Sequence, residues 1–136
     1  MMIDFFLPMK AIPTVTSQQK GINFDEKRVY TKQTVLDVRQ KFLALLAKHR
    51  PQTPAEGAVG LLVLWHFPAG KHRDGEWKTS RPDTDNMIKL LKDCMTELGF
   101  WKDDAQVCYE VSMKKYAEVS GLYIRVQDLG EEDANA

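Results

Sequence analysis

Two aspartates, Asp83 and Asp85, stand one residue apart in RPDTDNMIKLLKDC (residues 81–94), where a helix is expected to begin. One carboxylate at such a position is enough to cap a helix, because it satisfies free N–H groups of the first turn. A second carboxylate nearby adds electrostatic repulsion. Two further aspartates, Asp103 and Asp104, follow the same helix in FWKDD. The spacing leaves two interpretations open: helix capping with surface charge, or carboxylates that hold a divalent cation.

A cation site requires that these carboxylates meet. Mg²⁺ takes a few carboxylate oxygens together with waters and a substrate phosphate, and it can polarise a phosphodiester and activate water. We expect the loop with Asp104 to pack beside the start of the helix, which would bring it to Asp83 and Asp85. Lys89 lies one turn beyond Asp85 on the same face, where it could stabilise charge at a phosphate. The alternative for Lys89 is an ordinary ion pair with Asp85 or Asp93.

The segment DTDNMIKLLKDCMTELGFWKDDAQV, residues 83–107, resembles the signature of the RusA family of Holliday junction resolvases. That signature reads D-x-D-N, a lysine three residues after the asparagine, an apolar helix, and then G-[FV]-[WF]-x-D-D-x-Q-[VI]. HFP at residues 66–68, where a strand leads into a basic loop, is similar to the family as well. The match is specific because several residue types recur at fixed spacing.

The resemblance implies a homodimeric, Mg²⁺-dependent endodeoxyribonuclease, with Mn²⁺ as a substitute metal, that cuts two opposed strands of a four-way junction in DNA recombination and repair. Asp83, Asp85 and Asp104 match the metal-binding acids of the family and Lys89 its catalytic lysine. Asp103 matches the other half of the aspartate pair, as a neighbour of the metal or an occasional ligand. Two alternatives stay open: a metal-dependent nuclease acting on flaps or forks, and a non-catalytic DNA-binding protein with the same fold.

The basic loop PAGKHRDGEWKTSRP, residues 68–82, leads directly into the acidic motif and is the expected DNA surface. The segment after the first strand is less basic than in many members of the family and adds only two lysines. The expected DNA-binding residues are Lys71, His72, Arg73, Lys78, Arg81, Lys10 and Lys20. The alternative is a solvated surface loop. Trp77 is expected either to stack on an unpaired base or to pack on its own domain. Gln106 is expected to hold the loop that contains Asp104 by hydrogen bonds.

Hydrophobic periodicity predicts an α+β (mixed α/β) domain, with two main helices packed on a small mixed sheet. The nearly continuous apolar run at 58–67 predicts a central strand covered on both faces. The last two strands are expected to pair as a hairpin. The predicted strands are 2–7, 58–67, 107–114 and 122–126, and the predicted helices are 31–49 and 86–98.

Composition is that of one globular domain: 136 residues, 43% apolar and 28% charged. The net charge is zero, but DLGEEDANA holds four acids and no base, which leaves 19 basic against 15 acidic residues in 1–127. We expect a single nuclease domain at 1–127 and a flexible acidic tail at 128–136.

The sequence shows no sign of a membrane span, a signal peptide or a disulfide. No apolar run is long enough to span a bilayer, and the N-terminus lacks the basic start of a signal peptide, so a cytoplasmic protein with no membrane partner is expected. Cys94 and Cys108 have neither CxxC spacing nor nearby histidines, and both are expected to be reduced core residues.

Overall fold

The computed structural model describes residues 2–13 and 25–130, with side chains of the first helix from residue 34 onward. This part of the chain confirms the α+β prediction, and one 3-10 turn, Asp104–Gln106, precedes the third strand. Lys20 and residues 131–136 lie outside the described residues. The strands are β1 (Met2–Pro8), β2 (Val59–Pro68), β3 (Val107–Ala117) and β4 (Gly121–Asp128), and the helices are α1 (Asp25–Ala47) and α2 (Thr84–Glu97).

The strands form one sheet in the order β1-β4-β2-β3, in which only β2 and β3 run parallel. The predicted hairpin of the last two strands is wrong, because β2 lies between β3 and β4. Residues 118–120 cross the end of β2 instead. Strands lie about 4.8 Å apart, so this crossing spans roughly 10 Å, which a short extended connection can cover. Alternating apolar residues predict a strand but do not identify its neighbour.

A close approach between β1 and β4 requires glycine at position 121. Gly121 has a φ of +152°, and a Cβ atom there would lie 2.2 Å from the backbone oxygen of Leu7. That oxygen belongs to the antiparallel pairing of β1 with β4, in which Pro8 lies opposite Gly121. The start of β4 can therefore pass β1 only because this residue has no side chain.

Both helices pack on the same face of the sheet and enclose one hydrophobic core. Leu61, Val63 and Trp65 of β2 face this core and are fully buried. Phe42 and Leu46 of α1 are buried in the same cluster. The α2 residues in the core are Met87, Ile88, Leu90, Leu91, Cys94 and Met95.

The opposite face of the sheet has no helix on it in the described residues. Leu62, Leu64 and His66 of β2 point to this side and are only half-buried, so the prediction that β2 is covered on both faces is wrong there. These side chains shield one another across strands; Leu62, for example, lies opposite Val111 of β3 and Arg125 of β4. Burial lowers the pKa of His66, with opposing influence from the nearby Asp74 charge.

Helix boundaries follow local chemistry. Gly99, with a φ of +82°, ends α2 as predicted. α1 begins six residues before the predicted start. Residues 25–30 include the good helix formers Glu26, Lys27 and Arg28 but lack the apolar stripe on which the prediction relied. No helix in the described part of the chain is long and apolar enough to cross a membrane.

The two cysteines have different surroundings. Cys94 is buried in α2, and burial raises its thiol pKa to about 11. Cys108 is exposed, so its prediction as a core residue is wrong. It lies on β3, an edge strand whose first half is mostly exposed.

Candidate active site

Asp83 and Asp85 are both exposed at the start of α2. Asp83 occupies the N-cap position with extended backbone angles, φ −77° and ψ 143°, yet its side chain makes no capping hydrogen bond. Asp85 lies in the first helical turn, and neither carboxylate bonds to another described residue. Asp83 therefore occupies the capping position, but its side chain does not make the hydrogen bond that a capping residue usually makes. Two unengaged carboxylates remain at the positive end of the helix dipole.

Lys114 of β3 holds the segment that leads into Asp83. Its Nζ donates to the backbone oxygens of Ser80 and Pro82, both at 2.7 Å. This side chain thereby fixes where the chain enters α2. Sequence reasoning missed Lys114, because nothing local links a strand lysine to carbonyls more than thirty residues earlier.

Lys89 is exposed one turn after Asp85. It forms no ion pair with Asp85 or Asp93 among the described residues, so the alternative of an ordinary surface pair is not observed. Its charge still acts on Asp93 as one of the smaller influences that lower the pKa of that carboxyl. The ammonium group is free to approach an added anion.

The turn that carries Asp103 and Asp104 is held by Gln106, as predicted. Gln106 Oε1 accepts from the backbone N–H of Lys102 at 2.8 Å and of Asp103 at 3.0 Å. Its Nε2 donates to the backbone oxygens of residues 55 and 57, at 2.8 and 3.0 Å. The Asp103 side chain accepts from the Ala105 N–H at 2.8 Å and caps the 3-10 turn. Asp103 is thus occupied by the turn itself.

Asp104 lies at the end of α2, and the expectation that it packs beside the start is wrong. Its Oδ1 accepts a hydrogen bond from Thr96 Oγ1, and the Trp101 indole nitrogen lies 3.4 Å away. Thr96 is eleven residues beyond Asp85, which corresponds to about 16 Å along the helix axis. Gly99 turns the chain sharply, and the buried side chains of residues 100 and 101 anchor the loop at this end.

Asp93 interacts with Asp104 and was not expected in the site. Burial raises the pKa of Asp93, and the charge of Asp104 and a hydrogen bond to it raise this pKa further. The carboxylates therefore form two groups, Asp83 with Asp85 and Asp93 with Asp104, at opposite ends of α2. No three His, Cys, Asp or Glu side chains converge as a metal site within residues 2–13 and 25–130. Each group nevertheless offers the hard oxygen donors that suit Mg²⁺.

The basic loop, residues 68–82, is attached to the outer edge of β3 by backbone hydrogen bonds. Gly75 N–H donates to Tyr116 O at 2.7 Å, Tyr116 N–H donates to Glu76 O at 2.8 Å, and Lys78 N–H donates to Lys114 O at 3.2 Å. Trp77 bridges to Lys115 in antiparallel fashion. The loop therefore has a defined position relative to the acidic motif that follows it.

Two of the predicted DNA-binding residues are already engaged within the protein. The ring of His72 stacks on Tyr116 at 3.7 Å and hydrogen-bonds to Glu76. Lys78 Nζ lies over the rings of Phe67 and Tyr116, at 5.0 and 5.1 Å, and donates to the Ser80 hydroxyl at 2.8 Å. These contacts reduce the availability of both side chains to a phosphate.

The other predicted residues of the loop are exposed and unengaged. Lys71, Arg73 and Arg81 have no side-chain partner among the described residues. Lys10 is exposed just after β1. Trp77 is 59% exposed, with Lys115 Nζ 4.3 Å from its ring centre. Its indole is thus not packed into the core of its own domain.

Comparisons with known proteins place these features in context. The family model of endodeoxyribonuclease RusA matches residues 11–127. The chain is 33% identical to the crossover junction endodeoxyribonuclease rusA of Lactococcus phage r1t, over 95% of this chain and 100% of that protein. It is 29% identical to the uncharacterized protein YqaN of Bacillus subtilis (strain 168), over 66% of this chain and 72% of that protein. The family match contains both ends of α2 and the whole basic loop.

Proposed function

The chain belongs to the RusA endodeoxyribonuclease family, and from this we propose that it is a Mg²⁺-dependent enzyme that resolves four-way DNA junctions by symmetric cuts in two opposed strands. The name of the phage relative supports the junction as substrate. The observation that carries the proposal is the pair Asp83 and Asp85, exposed and unbonded at the start of α2. A purely structural pair would be expected to cap the helix or form ion pairs.

Because Asp104 lies too far from Asp83 and Asp85 to share an ion with them in one protomer, Asp83 and Asp85 of one protomer and Asp104 of a second protomer would hold the divalent ion, and Mn²⁺ could replace Mg²⁺. The bound ion would supply Lewis acidity at the scissile phosphate and a water of lowered pKa. Lys89 projects from the same side of α2 as Asp85 and stabilises negative charge at the phosphate. Lys114 holds the backbone before Asp83 and so sets the direction from which that carboxylate approaches.

The separation of the two carboxylate groups supports a homodimer. A twofold axis perpendicular to α2 lays the helices of two protomers antiparallel, so that the start of one helix meets the end of the other. Asp85 of one protomer then comes near the partner's Asp104, and two equivalent acidic sites form. Two such sites also meet the requirement for paired cuts in opposed strands.

Replacing Asp83, Asp85 or Asp104 with Asn, one at a time, tests the proposal by separating binding from chemistry. Each change keeps the side-chain shape and removes one negative charge. Cleavage of a labelled four-way junction in Mg²⁺ should fall by about two or more orders of magnitude. Binding of the same junction in EDTA should be unchanged or tighter, because repulsion of phosphates is reduced.

Lys89→Ala provides the matched contrast in the same assays. It should lose cleavage and retain metal binding, with binding of the junction at most slightly weaker. If all three Asn variants fold but lose junction binding in EDTA together with cleavage, these residues shape the DNA surface and the catalytic proposal is wrong.

Two alternative functions are separated by substrate competition. A flap- or fork-specific nuclease would prefer those substrates over four-way junctions and linear duplex in Mg²⁺. A non-catalytic DNA-binding protein would bind branched DNA and cut none of it. Asp83 and Asp85, which bond to no described residue, disfavour the second alternative, because carboxylates near phosphates only weaken binding unless a cation joins them.

A further inference from the structure

The indole N–H of Trp101 requires an acceptor inside the protein. The side chain is fully buried, and a buried donor without a partner costs roughly as much as a lost hydrogen bond. Its Nε1 donates to Thr96 Oγ1 at 2.7 Å, with Asp104 Oδ1 at 3.4 Å as a second, longer acceptor. The indole thus fixes the position of the Thr96 oxygen beside Asp104.

The Thr96 hydroxyl has one proton and two possible acceptors. Lys92 O lies 3.0 Å away, one turn earlier in α2, and already accepts the helical bond from the Thr96 N–H. The other acceptor is Asp104 Oδ1. A carboxylate is the stronger acceptor because it is charged. The hydroxyl therefore donates to Asp104 while accepting from Trp101.

We propose that Thr96 and Trp101 are positioning residues for Asp104, acting through the chain of bonds from the Trp101 indole to the Thr96 hydroxyl to the Asp104 carboxylate. This inference rests on the proposed function, since it concerns one carboxylate of that site. It also distinguishes the carboxylates: Asp83 and Asp85 make no bond to a described residue, whereas Asp104 is held on Oδ1 before any ion arrives.

Thr96→Val tests the role of the hydroxyl, because valine keeps the branched shape and removes the donor. Ser112 offers a matched control elsewhere in the molecule. Its Oγ accepts from the indole N–H of the fully buried Trp65 at 2.8 Å, with no aspartate attached. Ser112→Ala therefore also removes the hydroxyl partner of a buried indole. A purely structural role predicts the same outcome for both variants: lower thermal stability and unchanged metal dependence.

Positioning predicts that only Thr96→Val changes the metal dependence. The Mg²⁺ concentration that gives half-maximal junction cleavage should rise about tenfold to a hundredfold, the usual cost of losing a bond that orients a metal ligand. Thr96→Ser, which restores the donor, should return it close to the wild-type value. Trp101→Phe keeps most of the ring and removes the N–H, so it should shift the metal dependence in the same direction even if Thr96→Val folds poorly.

Tb³⁺ luminescence gives a readout that does not depend on cleavage. Tb³⁺ is a hard cation that seeks carboxylate oxygens as Mg²⁺ and Ca²⁺ do, and an ion bound at Asp104 would be excited by the adjacent Trp101. Thr96→Val should weaken Tb³⁺ binding about as much as it weakens Mg²⁺ activation, and Ser112→Ala should not.

The outcomes separate this inference from the proposed function. Equal metal dependence of wild type, Thr96→Val and Thr96→Ser in both assays would overturn the positioning role and leave the nuclease proposal standing. Weakened Tb³⁺ binding by Thr96→Val in a protein that cuts no branched DNA would support positioning and overturn the proposed function. A wild-type protein with neither Tb³⁺ binding nor metal-dependent cleavage would overturn both.

Discussion

At the scale of single residues, one side-chain type has several roles in this protein because its neighbours differ. Asp83 and Asp85 accept no hydrogen bond from the described chain, Asp103 caps a turn, and Asp104 is held by Thr96. Asp93 shares its space with the charge of Asp104. Residue type alone gives all five the same chemistry, and only the donors around each carboxylate distinguish one that accepts hydrogen bonds from one that accepts none.

Asp93 provides a prediction for stability against pH. Its folded pKa is raised above the ordinary 3.8, so the folded protein holds this proton more tightly than the unfolded chain. Stability is then lost as pH rises from 3.8 through the folded pKa. Asp93→Asn removes this cost and keeps an amide that can donate to Asp104. We expect a higher melting temperature in EDTA near pH 7, worth less than about 1 kcal/mol because solvent screens this partly exposed group.

The gain from Asp93→Asn should shrink as the pH is lowered toward 4, because the carboxyl becomes protonated in both folded and unfolded states. Thermal melts of wild type and variant at both pH values make the comparison. A gain of equal size at the two values, or a loss of stability near pH 7, would contradict the assignment of a raised pKa.

At the scale of elements, α2 acts as a spacer. Its apolar side is buried against the sheet, while its two ends carry separate acidic groups about 16 Å apart. The basic loop is a second positioned element, since its backbone bonds to β3 hold it beside the start of α2. Backbone hydrogen bonds thus hold both elements in defined positions.

The basic loop predicts two classes of variant. Lys71→Ala and Arg73→Ala remove exposed, unengaged charges, so each should weaken junction binding, lower the salt dependence by about one released counterion, and leave the melting temperature unchanged. Lys78→Ala should lower the melting temperature, because it removes the contacts of Nζ with Phe67 and Tyr116. Lys48→Ala, an exposed lysine just after α1, is the control and should change neither property. Equal effects of Lys48 and Arg73 variants on binding would argue against the loop as the DNA surface.

The crossing from β3 to β4 predicts a severe effect at Gly121. Gly121→Ala places a Cβ against the Leu7 backbone oxygen and in an unfavourable φ region, which should cost about 2–4 kcal/mol of unfolding free energy. Gly70→Ala is the matched control, because it has a positive φ of +56° but open space around the new Cβ. It should cost only about 1 kcal/mol. Urea titration of both variants measures the difference, and equal costs would mean that the contact with β1 is not limiting.

At the scale of the whole molecule, one helical layer covers one face of the sheet, and the acidic groups lie apart within a single protomer. The proposed homodimer with antiparallel α2 helices would bring the two acidic groups together across the subunit interface. Asp85→Asn and Asp104→Asn proteins, each inactive alone, should then regain strand nicking when mixed. About half of the dimers become mixed, and each mixed dimer keeps one of its two sites intact, so about a quarter of wild-type nicking is expected.

The mixing experiment has a clear contrary result. If each site formed within one chain, both sites of a mixed dimer would lack an aspartate, and no nicking would return after confirmed subunit exchange. Sedimentation at the working concentration supplies the independent check. A monomer that resolves junctions fully would refute the dimer requirement.

The sequence by itself determined the features that depend on a few neighbouring residues. The apolar stripe of α2 and its end at Gly99 follow from spacing along one helix, and the capping of the turn by Asp103 and Gln106 follows from spacing over four residues. The family signature is likewise a pattern within one segment, residues 83–107. Helix periodicity, capping and turn chemistry act over such short distances, so they can be predicted without the fold.

Only the tertiary structure decided which of these local features meet. It placed Asp104 at the far end of α2, inserted β2 between β3 and β4, left Cys108 exposed on an edge strand, and brought Lys114 to the backbone before Asp83. Each of these depends on contacts between segments distant in sequence, such as the burial of Trp101 against the core. Packing of the whole chain decides which distant segments come into contact, and local periodicity carries no information about that choice.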